Sequence, residues 1–234
     1  MESKFYRPDE HRAEKVHELF ATIARRYDLL NDIMSAGMHR LWKRRLVSLA
    51  GRPRDVLDLC CGTGDLALYF LRQNPSADVT GVDFTEEMLQ VARSRSNRTR
   101  WMRADALNLP FPDNSFDVVS VGYGLRNLAD IEKGLREILR VLRPGGKLLS
   151  LDFGKPDVPL LRKMYFGYLR VVLPVLGRIY CGDPDTHGYI LVSLEDYPAQ
   201  HGIKSLMDSC GFSECGFEEF VGGTMAINFG SKPR

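Results

Sequence analysis

The chain is short of most features that would place it outside the ordinary globular proteins. No run of about 18 or more uncharged apolar residues occurs, so no transmembrane helix is expected. The opening MESKFYRPDEHRAEKVHELF carries acids and lacks an apolar core segment, so it does not read as a secretory signal. Charge of one sign is not in excess. The net charge is +2, too small to argue for a nucleic-acid partner by itself. Cysteine is sparse: Cys60, Cys61, Cys181, Cys210 and Cys215 are odd in number and lack metal-ligand spacing. No metal site is therefore expected, and unpaired thiols predict a reducing, cytoplasmic compartment. Internal repeats and low-complexity tracts are also missing.

What is present is an ordinary globular composition over 234 residues, 44% hydrophobic and 26% charged, enough for one α/β domain with added helices. Residues 1–50 read as an N-terminal helical cap. VHELFATIARRYDLL places Val16, Leu19, Phe20 and Ile23 on one helical face, and HRLWKRRLVSLA follows Gly37. Strands and helices alternate across 51–155: DVLDL, DVTGVDF, TRWMRAD, FDVVSVGYG and KLLSLDF as strands, with helical segments between them. FDVVSVGYG is apolar on both sides of its alternation, as in a buried parallel strand. IEKGLREILRVL is an amphipathic helix expected to stop at Pro144-Gly145-Gly146. Residues 156–200 break the rhythm with an apolar, basic insertion interrupted by Pro174, and 201–234 close with a helix and a hairpin about Gly222-Gly223. This order predicts a single-domain, doubly wound, Rossmann-like sheet whose last strand is antiparallel.

In such sheets a ligand sits at the carboxyl ends of the strands. VLDLCCGTGD, residues 56–65, is a buried strand entering a glycine turn. Gly62 and Gly64 let backbone approach a nucleotide-like ligand, Ala67 supplies a third small position, and Asp83 ends the second strand where it can accept both ribose hydroxyls. These residues suit NAD as well as S-adenosylmethionine (SAM). Asp58, four residues before Gly62, separates the two: a carboxylate there repels pyrophosphate but tolerates a sulfonium-bearing amino acid. Asp105, at the end of the third strand, is placed to reach an adenine amino group. SAM is the cofactor expected. Asp58 can equally cap local backbone amides.

VLDLCCGTGD, ADALNLPFPDNSFDVV, YGLRN, LREILRVLRPGGKLL and IARRYDLLNDIMSAGMHRLWK together resemble the UbiE/MenG C-methyltransferases of menaquinone and ubiquinone biosynthesis, from about Val16 to Pro233. The glycine turn is common to class I methyltransferases; the YDLLND and GLRN stretches are more particular to this family. The resemblance implies a seven-stranded class I fold and SAM contacts at Thr63, Asp83, Asp105, Ala106 and Gly122, to which Phe84, beside Asp83, is added. It implies a prenylated quinol as acceptor, demethylmenaquinol first and a ubiquinone-precursor benzoquinol second. HGYILVSLEDYP departs from the family's usual pattern at the acceptor side.

Methylating a ring carbon requires an electron-rich ring, hence the quinol or its phenolate. Arg126 and Asn127 follow the fourth strand. Arg126 is expected to stabilise a quinolate and Asn127 to orient a water or ring oxygen, with an Arg126–Asp130 ion pair and an Asn127 helix cap as the structural alternative. Tyr27 and Asp28 can close over the cofactor or simply pack. His39 and His187 can serve as bases, but we read both as structural. Cys60-Cys61 read as small-residue positions, and Arg40, Lys43, Arg44 and Arg45 as a solvated helix face. Residues 158–180 read either as a lid over a greasy acceptor resting on the bilayer or as a buried helix pair. Peripheral membrane contact and a homo-oligomer are compatible with the sequence; a nucleic-acid methyltransferase is disfavoured, because no Asn-Pro-Pro-aromatic motif occurs. The alternatives are another small lipophilic acceptor, or a SAM-binding scaffold without turnover.

Overall fold

A computed structural model describes residues 18, 20, 21, 24, 27–181 and 185–234, the side chains of 180, 181 and 185–188 excepted. Val16, Leu19 and Ile23 of the expected first helix lie outside the described residues, as do the side chains of Cys181 and His187. In chain order the elements are α1 (Tyr27–Ser35), α2 (Met38–Leu49), β1 (Asp55–Leu59), α3 (Asp65–Gln73), β2 (Asp78–Asp83), α4 (Glu86–Arg95), β3 (Arg100–Arg103) and β4 (Phe116–Gly122). There follow α5 (Ile131–Val141), β5 (Leu142–Phe153), α6 (Pro159–Cys181), α7 (Asp185–Asp196), α8 (Ala199–Cys210), β6 (Ser213–Phe220) and β7 (Met225–Ser231).

Seven strands form one sheet in the order β3-β2-β1-β4-β5-β7-β6. The first five are parallel neighbours, and β7 runs antiparallel between β5 and β6. This is the class I methyltransferase topology. The central strands are buried on both faces: Val56, Leu57 and Leu59 of β1 and Val118, Val119 and Val121 of β4 are at most 2% exposed. Continuous apolar strands of this kind need helices on both sides of the sheet. The chain order reverses between β1 and β4, so the crevice at their carboxyl ends is the switch point where ligands bind.

Two elements differ from expectation. The helix α5 ends at Val141, and Pro144-Gly145-Gly146 lies inside the long strand β5, not between elements. Gly145 has φ +80°, and the pairing with β4 shifts register between Phe116 and Val118, so the glycines form an irregularity that the strand absorbs. Pro174 does not interrupt α6, which is a single 23-residue helix. The missing amide donor costs one hydrogen bond, and the flanking Leu169 and Leu173, 3% and 1% exposed, fix that stretch in the core. Among the described residues no helix is long and apolar enough to cross a membrane.

Candidate active site

The turn after β1 is built by backbone conformations that favour glycine. Gly62 has φ +54° and Gly64 φ +86°. A Cβ at Gly64 would also lie 2.4 Å from the Trp101 ring, so both φ and space exclude a side chain there. Cys60 shares the left-handed region at φ +55°. The Cys60 and Cys61 thiols are free, and burial pushes both well above the ordinary range, which leaves them unreactive.

Asp83 faces this turn. Its Oδ2 accepts from the Gly62 amide at 2.8 Å and its Oδ1 from the Thr85 amide at 2.9 Å. Burial raises the carboxyl above its ordinary value, and the two amides oppose that rise. Each oxygen keeps a second lone pair, so the group can still accept a hydroxyl. Asp58 turns the other way, accepting from the Ala67 amide at 3.0 Å and the Ser120 hydroxyl at 2.9 Å. It is fully buried, and desolvation pushes it up to about 7 against those two hydrogen bonds.

A cavity of about 180 Å³ opens at these strand ends. Tyr27, Gly62, Asp83, Phe84, Asp105, Ala106, Gly122 and Asn127 border it. Asp58, Thr63, Gly64 and Arg126 do not. Thr63 and Asp58 border a small crevice beside it, and the Thr63 hydroxyl donates to Asp28 at 2.7 Å. Asp105 Oδ1 accepts from the Leu107 amide at 2.9 Å, and Phe84 is 44% exposed on the rim. Sequence reasoning missed the apolar walls, among them Met88, Leu107, Leu128 and Tyr123. The only available signal was an apolar residue at or just beyond a strand's carboxyl end.

The N-terminal helices are clamped over the turn by charge. Arg95 donates to Asp28 at 2.9 Å and to Asp65 at 2.6 Å, and Lys43 donates to Asp65 at 2.8 Å. Lys43 is 4% exposed, so it is not on a solvated face. Its two neighbours lower Asp65 to about 2 against the desolvation of that carboxyl.

Arg126 is 3% exposed. It donates to Asp152 Oδ1 at 2.7 Å, to the Tyr123 carbonyl at 2.8 Å and to the Tyr189 hydroxyl at 3.1 Å, and lies 5.0 Å over the Phe153 ring. Its ion pair is thus with Asp152; Asp130 instead caps α5 through the Lys133 amide. Burial alone would lower Arg126, and Asp152 more than reverses that. Asn127 also donates to the Tyr123 carbonyl, at 3.2 Å. Tyr123 needs this support: it has φ +61°, a conformation unfavourable for a non-glycine residue.

Tyr123 is also a wall of a second cavity, of about 250 Å³, under α6. This one is lined by Met34, His39, Trp42, Phe153, Tyr165, Leu169, Leu173 and Met225, among others. Among the described residues one group gathers ligand atoms for a cation, Asp157, His201 and Glu219; all three are exposed and none borders either cavity.

A seven-stranded class I sheet, a glycine turn facing a strand-end acid and a cavity at the switch point define a SAM-dependent methyltransferase. Solved structures share this fold. A Thermotoga maritima SAM-dependent methyltransferase, described as a possible histamine N-methyltransferase, superposes with a TM-score of 0.64 at 19% identity, over 92% of this chain and 99% of that one. The phosphoethanolamine N-methyltransferase 2 of Haemonchus contortus, solved with SAM bound, gives 0.55 at 19% over 77% and 49%. The pattern of the ubiE/COQ5 methyltransferase family matches residues 9–232, and the chain belongs to that family. It is 42% identical to the ubiquinone/menaquinone biosynthesis C-methyltransferases UbiE of Azotobacter vinelandii and Ectopseudomonas mendocina. In each case 97% of this chain is covered, with 93% and 92% of the relatives.

Proposed function

We propose that this enzyme methylates a ring carbon of a prenylated quinol, demethylmenaquinol first and a ubiquinone-precursor benzoquinol second. The observation that carries the reading is the pair of cavities meeting at Tyr123: one at the glycine turn, the other apolar, aromatic and large enough to take a ring with the first part of a greasy tail. Family membership and the names of the relatives point the same way.

SAM supplies an electrophilic methyl group on a sulfonium. Tyr27, Gly62, Asp83, Phe84, Asp105, Ala106 and Gly122 would hold it, with Asp83 accepting ribose hydroxyls; Asp58, Thr63 and Gly64 shape the turn beneath. Arg126 acts from behind the wall. Its charge lies next to Tyr123, Phe153 and Tyr189 and favours negative charge developing on the acceptor oxygen. Asn127 borders the first cavity beside Tyr123, where it would orient a water or an acceptor oxygen that reaches past that residue.

The same proposal places the acceptor's tail at a membrane surface. Leu160, Met164, Tyr168, Val171, Val175 and Ile179 recur every three or four residues along α6 and are all at least 50% exposed, while Leu169 and Leu173 face the second cavity. Arg162, Lys163, Arg170 and Arg178 are exposed beside this stripe, so an anionic bilayer is the partner that fits both the apolar row and the charge. The direct test is turnover of reduced demethylated naphthoquinol and benzoquinol with SAM, followed as S-adenosylhomocysteine release. Turnover with reduced and not oxidised rings supports the reading. Inertness toward both quinols overturns it.

A further inference from the structure

The second cavity holds a polar group that the reaction as described leaves unused. His39 lines it together with Trp42, Tyr123 and Phe153, and is 2% exposed. Its Nε2 lies 2.8 Å from Asp32 Oδ1. Asp32 also receives Arg40 Nε at 2.7 Å. Arg40, then His39, holds the Asp32 carboxyl far below its usual range, so Asp32 is ionised and only accepts. The ring proton is therefore on Nε2. That leaves Nδ1 as a bare lone pair, and Nδ1 is buried with no hydrogen-bond partner. A buried acceptor of this kind is uncommon in a native fold and takes a proton donor, a water or the hydroxyl of a bound ligand.

Burial also lowers His39 below its ordinary value, with the Asp32 hydrogen bond opposing, so the ring is neutral at physiological pH and free to take a proton. The charged groups around it are Asp32 from α1, Arg40 and Lys43 from α2 and Asp65 from α3. Tyr165 and Tyr168 from α6 and Tyr123 after β4 border the cavity, and the Arg126–Asp152 pair lies behind Phe153. Lys43 disfavours the imidazolium, whereas Asp32 and Asp65 favour it.

We propose that His39 Nδ1 is the proton acceptor for the ring hydroxyl of the methyl acceptor, with Asp32 as its positioning residue; this rests on the second cavity being the acceptor site. The acceptor O–H bond breaks and its proton forms an N–H bond on Nδ1, giving an imidazolium held by Asp32. The ring carbon, made electron-rich by the phenolate, forms the new C–C bond as the sulfonium's S–C bond breaks with its electron pair on sulfur. The ring C–H proton then leaves to water, and His39 returns its proton to the ring oxygen. Geometry favours this cavity for the base. Tyr123 borders both cavities, so a ring in this one lies next to the cofactor site, and a carboxylate holding one imidazole nitrogen while the other stays bare is an arrangement that general bases use.

The test uses two variants and two readouts. His39→Asn keeps a polar group of similar reach but cannot take the proton. Asp32→Asn can donate to Nε2, which moves the ring proton to Nδ1 and blocks the lone pair. Both are expected to lower turnover of a short-tailed demethylated naphthoquinol by about a hundredfold or more. SAM affinity by calorimetry should stay within about threefold, and the acidic limb of the parent's pH–rate profile, set by a group titrating below the ordinary histidine value, should disappear. In the parent, anaerobic titration with 1,4-naphthoquinol should shift the His39 ring nitrogen signals in NMR, assigned by their loss in His39→Asn. Parent-like turnover and an unchanged acidic limb in His39→Asn would overturn the proposal, as would unmoved His39 signals. Should the parent methylate neither quinol, the functional reading fails on its own, and the naphthoquinol titration still decides whether His39 receives a ring hydroxyl.

Discussion

Arg126 and Asp152 form a buried ion pair, 2.7 Å between Nη1 and Oδ1, with side chains 3% and 4% exposed. The same guanidinium group reaches the carbonyl of Tyr123, a residue of left-handed backbone that borders both cavities. One residue thus neutralises a buried acid and holds the wall against which the reaction is proposed to occur. Arg126→Gln leaves Asp152 uncompensated and should lower stability by about 3–5 kcal/mol in urea unfolding. Adding Asp152→Asn should recover part of that loss, because the buried charge is gone. If the double variant is as unstable as the sum of the two singles, the pair is not the reason.

Arg126→Lys keeps the charge but not the planar fork that serves Asp152, Tyr123 and Tyr189 together. Turnover should fall by roughly tenfold or more while SAM affinity changes little. Loss of SAM binding in step with turnover would assign Arg126 to the cofactor and not to the reaction.

Asp83→Ala should weaken SAM binding by about 2 kcal/mol, the scale of a charge-assisted hydrogen bond. Because Asp83 also holds the Gly62 and Thr85 amides, Asp83→Asn is the companion variant that retains an acceptor for one of them. Calorimetry should rank the parent tightest, Asn next and Ala weakest. Equal affinities would remove Asp83 from the cofactor site.

Asp58 gives the fold a pH dependence of defined sign. Desolvation lifts its folded value to about 7 from an ordinary 3.8. Below about 4 both folded and unfolded chains hold the proton, and the group's contribution is fully present. As pH rises toward about 7 the unfolded chain releases the proton first, so unfolding free energy falls by up to about 1.4 kcal/mol per pH unit. Asp58→Asn removes this slope. Urea midpoints of parent and variant from pH 4 to 8 should diverge in the variant's favour as pH rises; parallel curves would place the folded value near ordinary.

Much of the fold was legible because its signals are local. The glycine turn, the strand-end Asp83 and the β–α alternation each lie within a few residues of sequence, and the sheet follows from them. The site's charge clamp was not legible in the same way. Lys43 resembles its neighbours Arg40, Arg44 and Arg45 in sequence, and is buried only because Asp65, 22 residues on, meets it in three dimensions. Arg126 could be placed near the site but its partner could not, since Asp152 comes from the next strand in the sheet and Asp130 is nearer in sequence. Tyr123 gave no sign of its strained backbone. The second cavity is assembled from α1, α2, β5, α6 and the β6–β7 turn, so no single stretch could announce it.

The outer stripe of α6 should bind anionic vesicles reversibly and in a salt-sensitive way, each nearby cation adding about 1 kcal/mol. Replacing Arg162, Lys163 and Arg170 with Gln should raise the apparent KM for a long-tailed acceptor and leave a short-tailed one unaffected. Absence of vesicle binding by the parent, with equal effects on both acceptors, would make the stripe a packing surface for something else.

The central claim is carbon methylation of a reduced ring, and the position of the transferred methyl tests it most directly. With SAM carrying a 13C-labelled methyl group and reduced demethylmenaquinol under anaerobic conditions, the account predicts a single new methyl resonance bonded to a ring carbon. A label bonded to ring oxygen, or no label on the ring while the added quinol stays reduced, would contradict it.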